Sequence, residues 1–288
     1  MQEVNTPVGE DTLNKTAKVA AEQHPALTAG FGRPEAHAPA RQYGWLSRLR
    51  SYFIFDPLIW AYSVILGIIS IPVSLFGEKT RILHAFARVW SKLIMQTILS
   101  PVKVSGIEGI DTSKPHVYAV NHASALDIPV LYVNLPFQFR IVFKKELLSY
   151  PIVGWHLKRS GQVCIDQQKP TRSVAAIRSA VKSLQAGMPL VIFPEGGRTP
   201  DGEIKPFLPG AFFMAIKAQV DIVPVALLGT YELLPMNTYH IKPRPLEMRV
   251  GRPILTAGHS VREMEVLSAE VHQAMEELYC QPPTLRST

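Results

Sequence analysis

From Val102 to Val250 the chain alternates short apolar runs with stretches of helical period. This rhythm restricts the fold more than any other feature of the sequence. The strand-like runs are Val102–Val104, Val117–Val120, Arg140–Phe143, Gln162–Ile165, Leu190–Phe193, Ile222–Leu228 and Leu246–Val250. Helical patterns cover Ile128–Asn134, Ser149–Arg159, Thr171–Ala186, Ala211–Ala218 and Ser260–Tyr279. Strands that alternate with helices pair in parallel, because each crossover helix returns the chain to the edge where the last strand began. The expected fold is therefore α/β, a largely parallel sheet flanked by helices, in one domain over residues 100–280. No internal repeat interrupts the pattern.

The segment before this domain obeys different rules. Leu58 to Phe76 contains no charged residue, and a transmembrane helix needs about 20 such positions. Gly67 and Pro72 are places where it would bend. A buried core helix is the competing reading. Arg41, Arg48 and Arg50 precede the run, with Trp45, Tyr52 and Phe53 among them, which is the composition of a membrane interface. Lys79 and Arg81 follow it, so charge bias gives no orientation. Arg81 to Leu99 reads as a basic amphipathic helix, with Ile82, Ala85, Phe86, Val89, Trp90, Leu93, Ile94 and Thr97 on one stripe. Such a helix lies in the interface or packs on the main domain. Residues 45–99 are read together as a membrane-anchoring helical segment. A hairpin inserted in one leaflet keeps the domain on the side of the N-terminus; a single span separates them. Residues 1–44, rich in Ala, Pro, Gly, Thr and Gln, read as a disordered extension without a cleavable signal pattern, and residues 281–288 as a frayed tail.

Formal net charge is +7 and the pI is near 9.4, which suits anionic partners such as acidic lipid headgroups or a phosphorylated substrate. Nucleic acid is excluded as a partner, since no basic run with interleaved aromatics occurs. Cys164 and Cys280 read as free thiols, and no residue cluster has metal-ligand spacing.

Two stretches carry candidate chemistry. Asn121-His122-Ala123-Ser124-Ala125-Leu126-Asp127 follows a buried-strand run, where α/β proteins place their sites. Ser124 and Asp127 have capping-box spacing, and Pro129 fits a first helical turn. His122 then stands outside the helix while Asp127 projects back from its first turn. A carboxylate at one imidazole nitrogen fixes the tautomer and frees the other nitrogen to take a proton. The plain alternative is a capping Asp beside a structural His. The second stretch is Phe193-Pro194-Glu195-Gly196-Gly197-Arg198-Thr199. Its glycines allow close backbone approach, and its arginine suits a phosphate. The plain alternative is a tight turn with a surface Glu195–Arg198 ion pair.

These blocks, with Lys144-Lys145-Glu146-Leu147, Gly154 and Val223-Pro224-Val225, occur in the order and rough spacing of a known family. The chain resembles the 1-acylglycerol-3-phosphate acyltransferases, within the glycerolipid acyltransferase superfamily that carries a His-x4-Asp signature. The resemblance covers about residues 100–230 and implies a glycerol-3-phosphate acyltransferase-like fold. It implies transfer of an acyl group from acyl-CoA or acyl-carrier protein to the sn-2 hydroxyl of lysophosphatidate, forming phosphatidate, with no other cofactor. His122 is then the general base and Asp127 its orienting carboxylate. Lys144 and Arg198 hold the acceptor's phosphate, Gly196 and Gly197 give it access, and Glu195 orders the loop. The implied setting is a cytoplasmic membrane, with the catalytic domain facing the cytoplasm and membrane lipids as neighbours. Two positions depart from the family pattern: Gln167 where an arginine is usual, and Gly197 where threonine is common. Gln167 keeps open an acceptor other than lysophosphatidate, either another lysolipid or an amino-acid lipid. A catalytically silent lipid-binding protein is the alternative from a different class, and the intact His122 and Asp127 argue against it.

Overall fold

A computed structural model describes residues 43–75, 79–166 and 170–281. Gln167, most of the expected N-terminal extension and nearly all of the expected tail lie outside the described residues. The strands are β1 (Val102–Ser105), β2 (Val117–Val120), β3 (Arg140–Lys144), β4 (Val163–Ile165), β5 (Leu190–Ile192), β6 (Ile222–Leu228) and β7 (Leu246–Val250). The helices are α1 (Trp45–Val73), α2 (Lys79–Thr97), α3 (Asp127–Asn134), α4 (Pro151–Arg159), α5 (Pro170–Gln185), α6 (Gly210–Ala218), α7 (Thr230–Leu233) and α8 (Met264–Cys280).

The strands form one sheet in the order β1-β7-β6-β2-β5-β3-β4. All pairs are parallel except β6 with β7. Between β6 and β7 the chain makes only the short α7 and a proline-bearing loop, with no crossover helix, so β7 runs back along β6. β2 lies at the centre: Val117 is in register with Leu190 of β5 on one side and Ile222 of β6 on the other. Its side chains alternate between two cores. Tyr118 and Val120 enter a cluster with Leu131, Phe139 and Ile98, on the α2–α3 face. Val117 and Ala119 enter another with Leu184, Phe212, Leu267 and Val271, on the α5, α6 and α8 face. A strand buried on both faces has to be apolar at every position, which is why Val117–Val120 reads as an unbroken run.

The N-terminal region is a helical hairpin, but its division of labour differs from the sequence pattern. α1 begins at Trp45, well before the uncharged run, and passes through a π-helical turn at Ser51–Phe55. It is the one helix among the described residues long and apolar enough to cross a membrane. The sequence places Ile82, Ala85, Phe86, Val89, Trp90, Leu93, Ile94 and Thr97 of α2 on one apolar stripe. Of these only Ile94 is fully buried; the other deep positions are Leu83, His84, Ala87, Ser91 and Met95, and Ala85 and Val89 are exposed. The reason is that α2 packs on two neighbours at once, α3 and α1. Trp90, from the predicted stripe, donates its Nε1–H to Ser63 Oγ on α1 at 2.9 Å. α2 is thus a packed helix of the domain, and α1 carries the exposed apolar surface.

Candidate functional site

Parallel neighbours end at the same edge of a sheet, so the loops after β2 and β5 meet at the carboxyl ends of their strands. Asn121 closes β2. Its Oδ1 accepts from Leu227 N–H at 2.7 Å, and its Nδ2 donates to Leu227 O at 3.0 Å, replacing strand pairing with β6. The chain can therefore turn away without leaving β6 unpaired at this point.

His122 is fixed through its backbone as well as its ring. Its N–H donates to Glu195 Oε1 at 2.9 Å, and its carbonyl accepts from Thr199 N–H at 2.9 Å. The β5 loop therefore grips the residue on both sides. Its Nδ1 lies 2.8 Å from Asp127 Oδ2. A carboxylate oxygen only accepts, so Nδ1 carries the hydrogen and Nε2 is the free, basic nitrogen. The same Oδ2 accepts from Ala123 N–H at 2.8 Å and Ser124 N–H at 2.9 Å. Asp127 is fully buried, whereas the His122 side chain keeps 18% of its surface exposed. The orienting group is sealed in and the base faces outward. The imidazole also stacks on the Phe193 ring, with centroids 4.0 Å apart and planes 20° apart.

The capping box expected at Ser124 takes another form. Asp127 is the first residue of α3, with Leu126 at the cap position and no side-chain cap hydrogen bond. Asp127 does reach back to Ser124 N–H, but the Ser124 hydroxyl donates to Leu234 O at 2.9 Å and accepts from Leu126 N–H at 3.2 Å. One carboxylate oxygen thus serves both the imidazole and the turn that leads into α3.

Glu195 is buried, not part of a surface ion pair. Burial pushes its carboxyl up to about 8, against the opposing pull of the His122 and Lys205 backbone amides. At neutral pH it mostly carries a proton. Gly196 follows with φ 72°, a left-handed conformation that glycine adopts without strain. The loop is braced further by Leu208 N–H to Pro194 O at 2.7 Å and Lys205 Nζ to Arg198 O at 2.9 Å. Lys144, at the exposed end of β3, lies over this loop, and a Cβ on Gly197 would sit 3.0 Å from its Nζ. Lys144, Gly197 and the half-buried Arg198 thus belong to one turn-and-strand edge, whereas Lys145 turns away to Asp166 at 3.1 Å. Val223, Pro224 and Val225 lie within β6; Val223 and Val225 are fully buried core. Phe193 as a platform for the imidazole, Asn121 as a strand substitute and Lys205 as a brace were not assigned roles from sequence. The first two depend on which strands lie beside β2, which local pattern does not encode; Lys205 braces its own loop.

Residues 101–228 match a family model described as Acyltransferase. The chain is 31% identical over 215 residues to a chloroplastic 1-acyl-sn-glycerol-3-phosphate acyltransferase of Arabidopsis thaliana, covering 73% of this chain and 60% of that one. It is 27% identical over 175 residues to a human 1-acyl-sn-glycerol-3-phosphate acyltransferase alpha, covering 60% of this chain and 62% of that one. The chain thus spans about 60% of the length of these relatives. Among solved structures, the 1-acyl-sn-glycerophosphate acyltransferase PlsC of Thermotoga maritima superposes with a TM-score of 0.68 at 26% identity, covering 84% of this chain and 97% of that one.

Proposed function

We propose that the chain is a 1-acyl-sn-glycerol-3-phosphate acyltransferase that forms phosphatidate from lysophosphatidate and an acyl thioester, a reading supported by its match to the Acyltransferase family model and by its likeness to these relatives. The observation that carries this reading is the buried Asp127 carboxylate 2.8 Å from His122 Nδ1, which leaves Nε2 facing outward.

The proposed chemistry follows from that geometry. His122 Nε2 accepts the proton of the sn-2 hydroxyl as the oxygen attacks the carbonyl of acyl-CoA or acyl-carrier protein. Asp127 stabilises the imidazolium that forms. Collapse of the tetrahedral intermediate breaks the carbon–sulfur bond, and the leaving thiolate takes the proton back from His122. No covalent acyl-enzyme is required, so Ser124 is free for its bonds to Leu234 and Leu126. Arg198 and Lys144 receive the acceptor's phosphate; a guanidinium matches phosphate with two parallel hydrogen bonds, and the ammonium adds charge. The access over Gly196 and Gly197 is what lets a phosphate come near the backbone.

The site works at a bilayer because its acceptor and product reside there. α1 exposes Trp45, Phe53, Trp60, Ile65 and Ile68. It is also tied to the domain. Besides the Ser63–Trp90 bond, Ser51 Oγ donates to Tyr239 O at 2.8 Å, and Tyr43 OH donates to Pro243 O at 2.8 Å just ahead of the helix. A helix tied to the domain favours insertion into one leaflet over a free-standing span. The proposed location is a cytoplasmic membrane with the catalytic domain facing the cytoplasm, which protease accessibility from each side would test.

The direct test is acyl transfer from labelled acyl-CoA and acyl-carrier protein to lysophosphatidate, compared with zwitterionic and neutral lysolipids. Labelled phosphatidate as the main product is the expected result. Preferred acylation of a lysolipid without a phosphomonoester would refute the acceptor assignment.

A further inference from the structure

A second polar feature lies at the opposite edge of the sheet. His84 is only 6% exposed, yet neither ring nitrogen makes a hydrogen bond of ordinary geometry. Buried polar atoms are rarely left so, because desolvation without a full partner is costly. The ring is held edge-on against Phe139, with centroids 5.0 Å apart, and tilted against Tyr132 at 5.1 Å. It lines a cleft of about 340 Å³ together with Arg81, Ala85, Arg88 and the turn Pro136–Gln138.

The charge in this cleft has one sign. Arg81, His84 and Arg88 stand three and four residues apart on one face of α2. None of the residues lining the cleft is acidic. The Arg88 guanidinium is partly oriented, since Nη1 donates to Leu135 O at 3.2 Å. Gln138 adds an amide donor. Phe137 and Gln138 lead into the start of β3, whereas His122 follows the end of β2, so the cleft and the candidate active site occupy opposite edges of the parallel strands.

We propose that this cleft is a second anion site, taking a phosphate group between Arg81 and Arg88 with His84 as an additional donor. Burial and the nearby Arg88 charge keep the imidazole neutral, its pKa lowered to about 4 with the Phe137 carbonyl acting weakly the other way. A neutral ring offers one N–H, and a phosphate oxygen in the cleft takes it over from the Phe137 carbonyl, whose contact with the ring falls short of ordinary hydrogen-bond geometry. Arg forks suit phosphate, and the volume falls in the range of small-ligand sites, roughly 300–1,000 Å³. Two sources share this chemistry: free phosphate, and the phosphodiester headgroup of an anionic lipid. Arg81 lies in the first turn of α2, directly after the apolar α1 in the chain, so either source has a route.

The test reads the His84 ring itself, so it is independent of acyl transfer. Full-length protein carrying ¹⁵N-labelled histidine is titrated with inorganic phosphate in neutral nanodiscs. It is then moved to nanodiscs of phosphatidylcholine with and without phosphatidylglycerol. The His84 signals are identified by their loss in His84→Phe. A shift with phosphate alone identifies the soluble ion; a shift only in phosphatidylglycerol discs identifies the headgroup. In either case Arg81→Gln, a change at an exposed position, weakens the response about tenfold while leaving the His122 signals as in the native protein. Silence of the His84 signals in both arms, or an Arg81→Gln response equal to the native one, would overturn the proposal.

Discussion

Replacing Asp127 with asparagine isolates the carboxylate from everything else it touches. In the native protein one oxygen accepts three N–H groups, from His122 Nδ1 and the Ala123 and Ser124 backbones. An amide oxygen keeps the shape but loses the charge, and the NH₂ that replaces the other oxygen is a donor. If the oxygen stays in place, the imidazolium that forms during transfer has no negative partner. If the amide turns over, its NH₂ faces Nδ1, the ring proton moves to Nε2, and the base is lost. Both outcomes act on the reacting state. A positioned general base contributes about 10²–10⁴-fold, and each tenfold is about 1.36 kcal/mol of barrier. Asp127→Asn should therefore lower kcat by about 10³-fold, or about 4 kcal/mol, with KM for lysophosphatidate within a few-fold of native. The assay is initial-rate acyl transfer in mixed micelles, normalised to folded protein by near-ultraviolet circular dichroism. A variant within tenfold of native, or one whose whole defect lies in KM, would show that the carboxylate only builds the turn.

The other substitutions separate structure from chemistry in the same way. Ser124→Ala removes the bonds to Leu234 and Leu126 but touches no reacting atom; thermal melts should show about 1 kcal/mol of lost stability and rates should change little, whereas a kcat collapse would make Ser124 a participant. Phe193→Leu takes the aromatic face from under His122; because a ring favours a cation above it by about 0.5–1 kcal/mol or more, kcat should fall several-fold, and an unchanged kcat would remove the stacking argument. Glu195→Gln tests burial: with its folded pKa raised to about 8 from 4.5, the native protein keeps a proton that the unfolded chain loses. Native stability should then fall by about 1.4 kcal/mol per pH unit between those values and level off above them; chemical unfolding at pH 5 and pH 8 should show the glutamine variant gaining on native as pH rises, and a pH-independent difference contradicts the buried, protonated carboxyl. Gly196→Ala forces a side chain into φ 72° and should destabilise the loop by about 1–2 kcal/mol, seen as faster proteolysis after Arg198.

The sheet is legible in the sequence because its central strands are buried on both sides, and Val117–Val120 and Ile222–Leu228 have no polar interruption. The His–Asp pair is legible because strand, turn and helix start are contiguous. Other features are set by pairing and packing across the chain. β5 lies beside β2 although α3, β3, α4, β4 and α5 separate them in the chain, and that adjacency places Glu195 and Phe193 against His122. The polar face of α2 misleads for a similar reason: His84 and Ser91 fall off the apolar stripe by period, yet both are buried, His84 against Tyr132 of α3 and Phe139. α1 starts before the uncharged run, since Arg48 and Arg50 are good helix formers and Arg50 lies over the Phe55 ring at 5.0 Å.

The central claim is that His122 takes the acceptor's proton. The measurement that meets it most directly is single-turnover acyl transfer to lysophosphatidate by native protein and by His122→Ala, purified side by side and matched in melting temperature and nanodisc binding. The native protein should convert lysophosphatidate to phosphatidate, and the variant should lose activity by at least about 10³-fold. Equal rates in the two proteins would contradict the mechanism while leaving the fold as it stands.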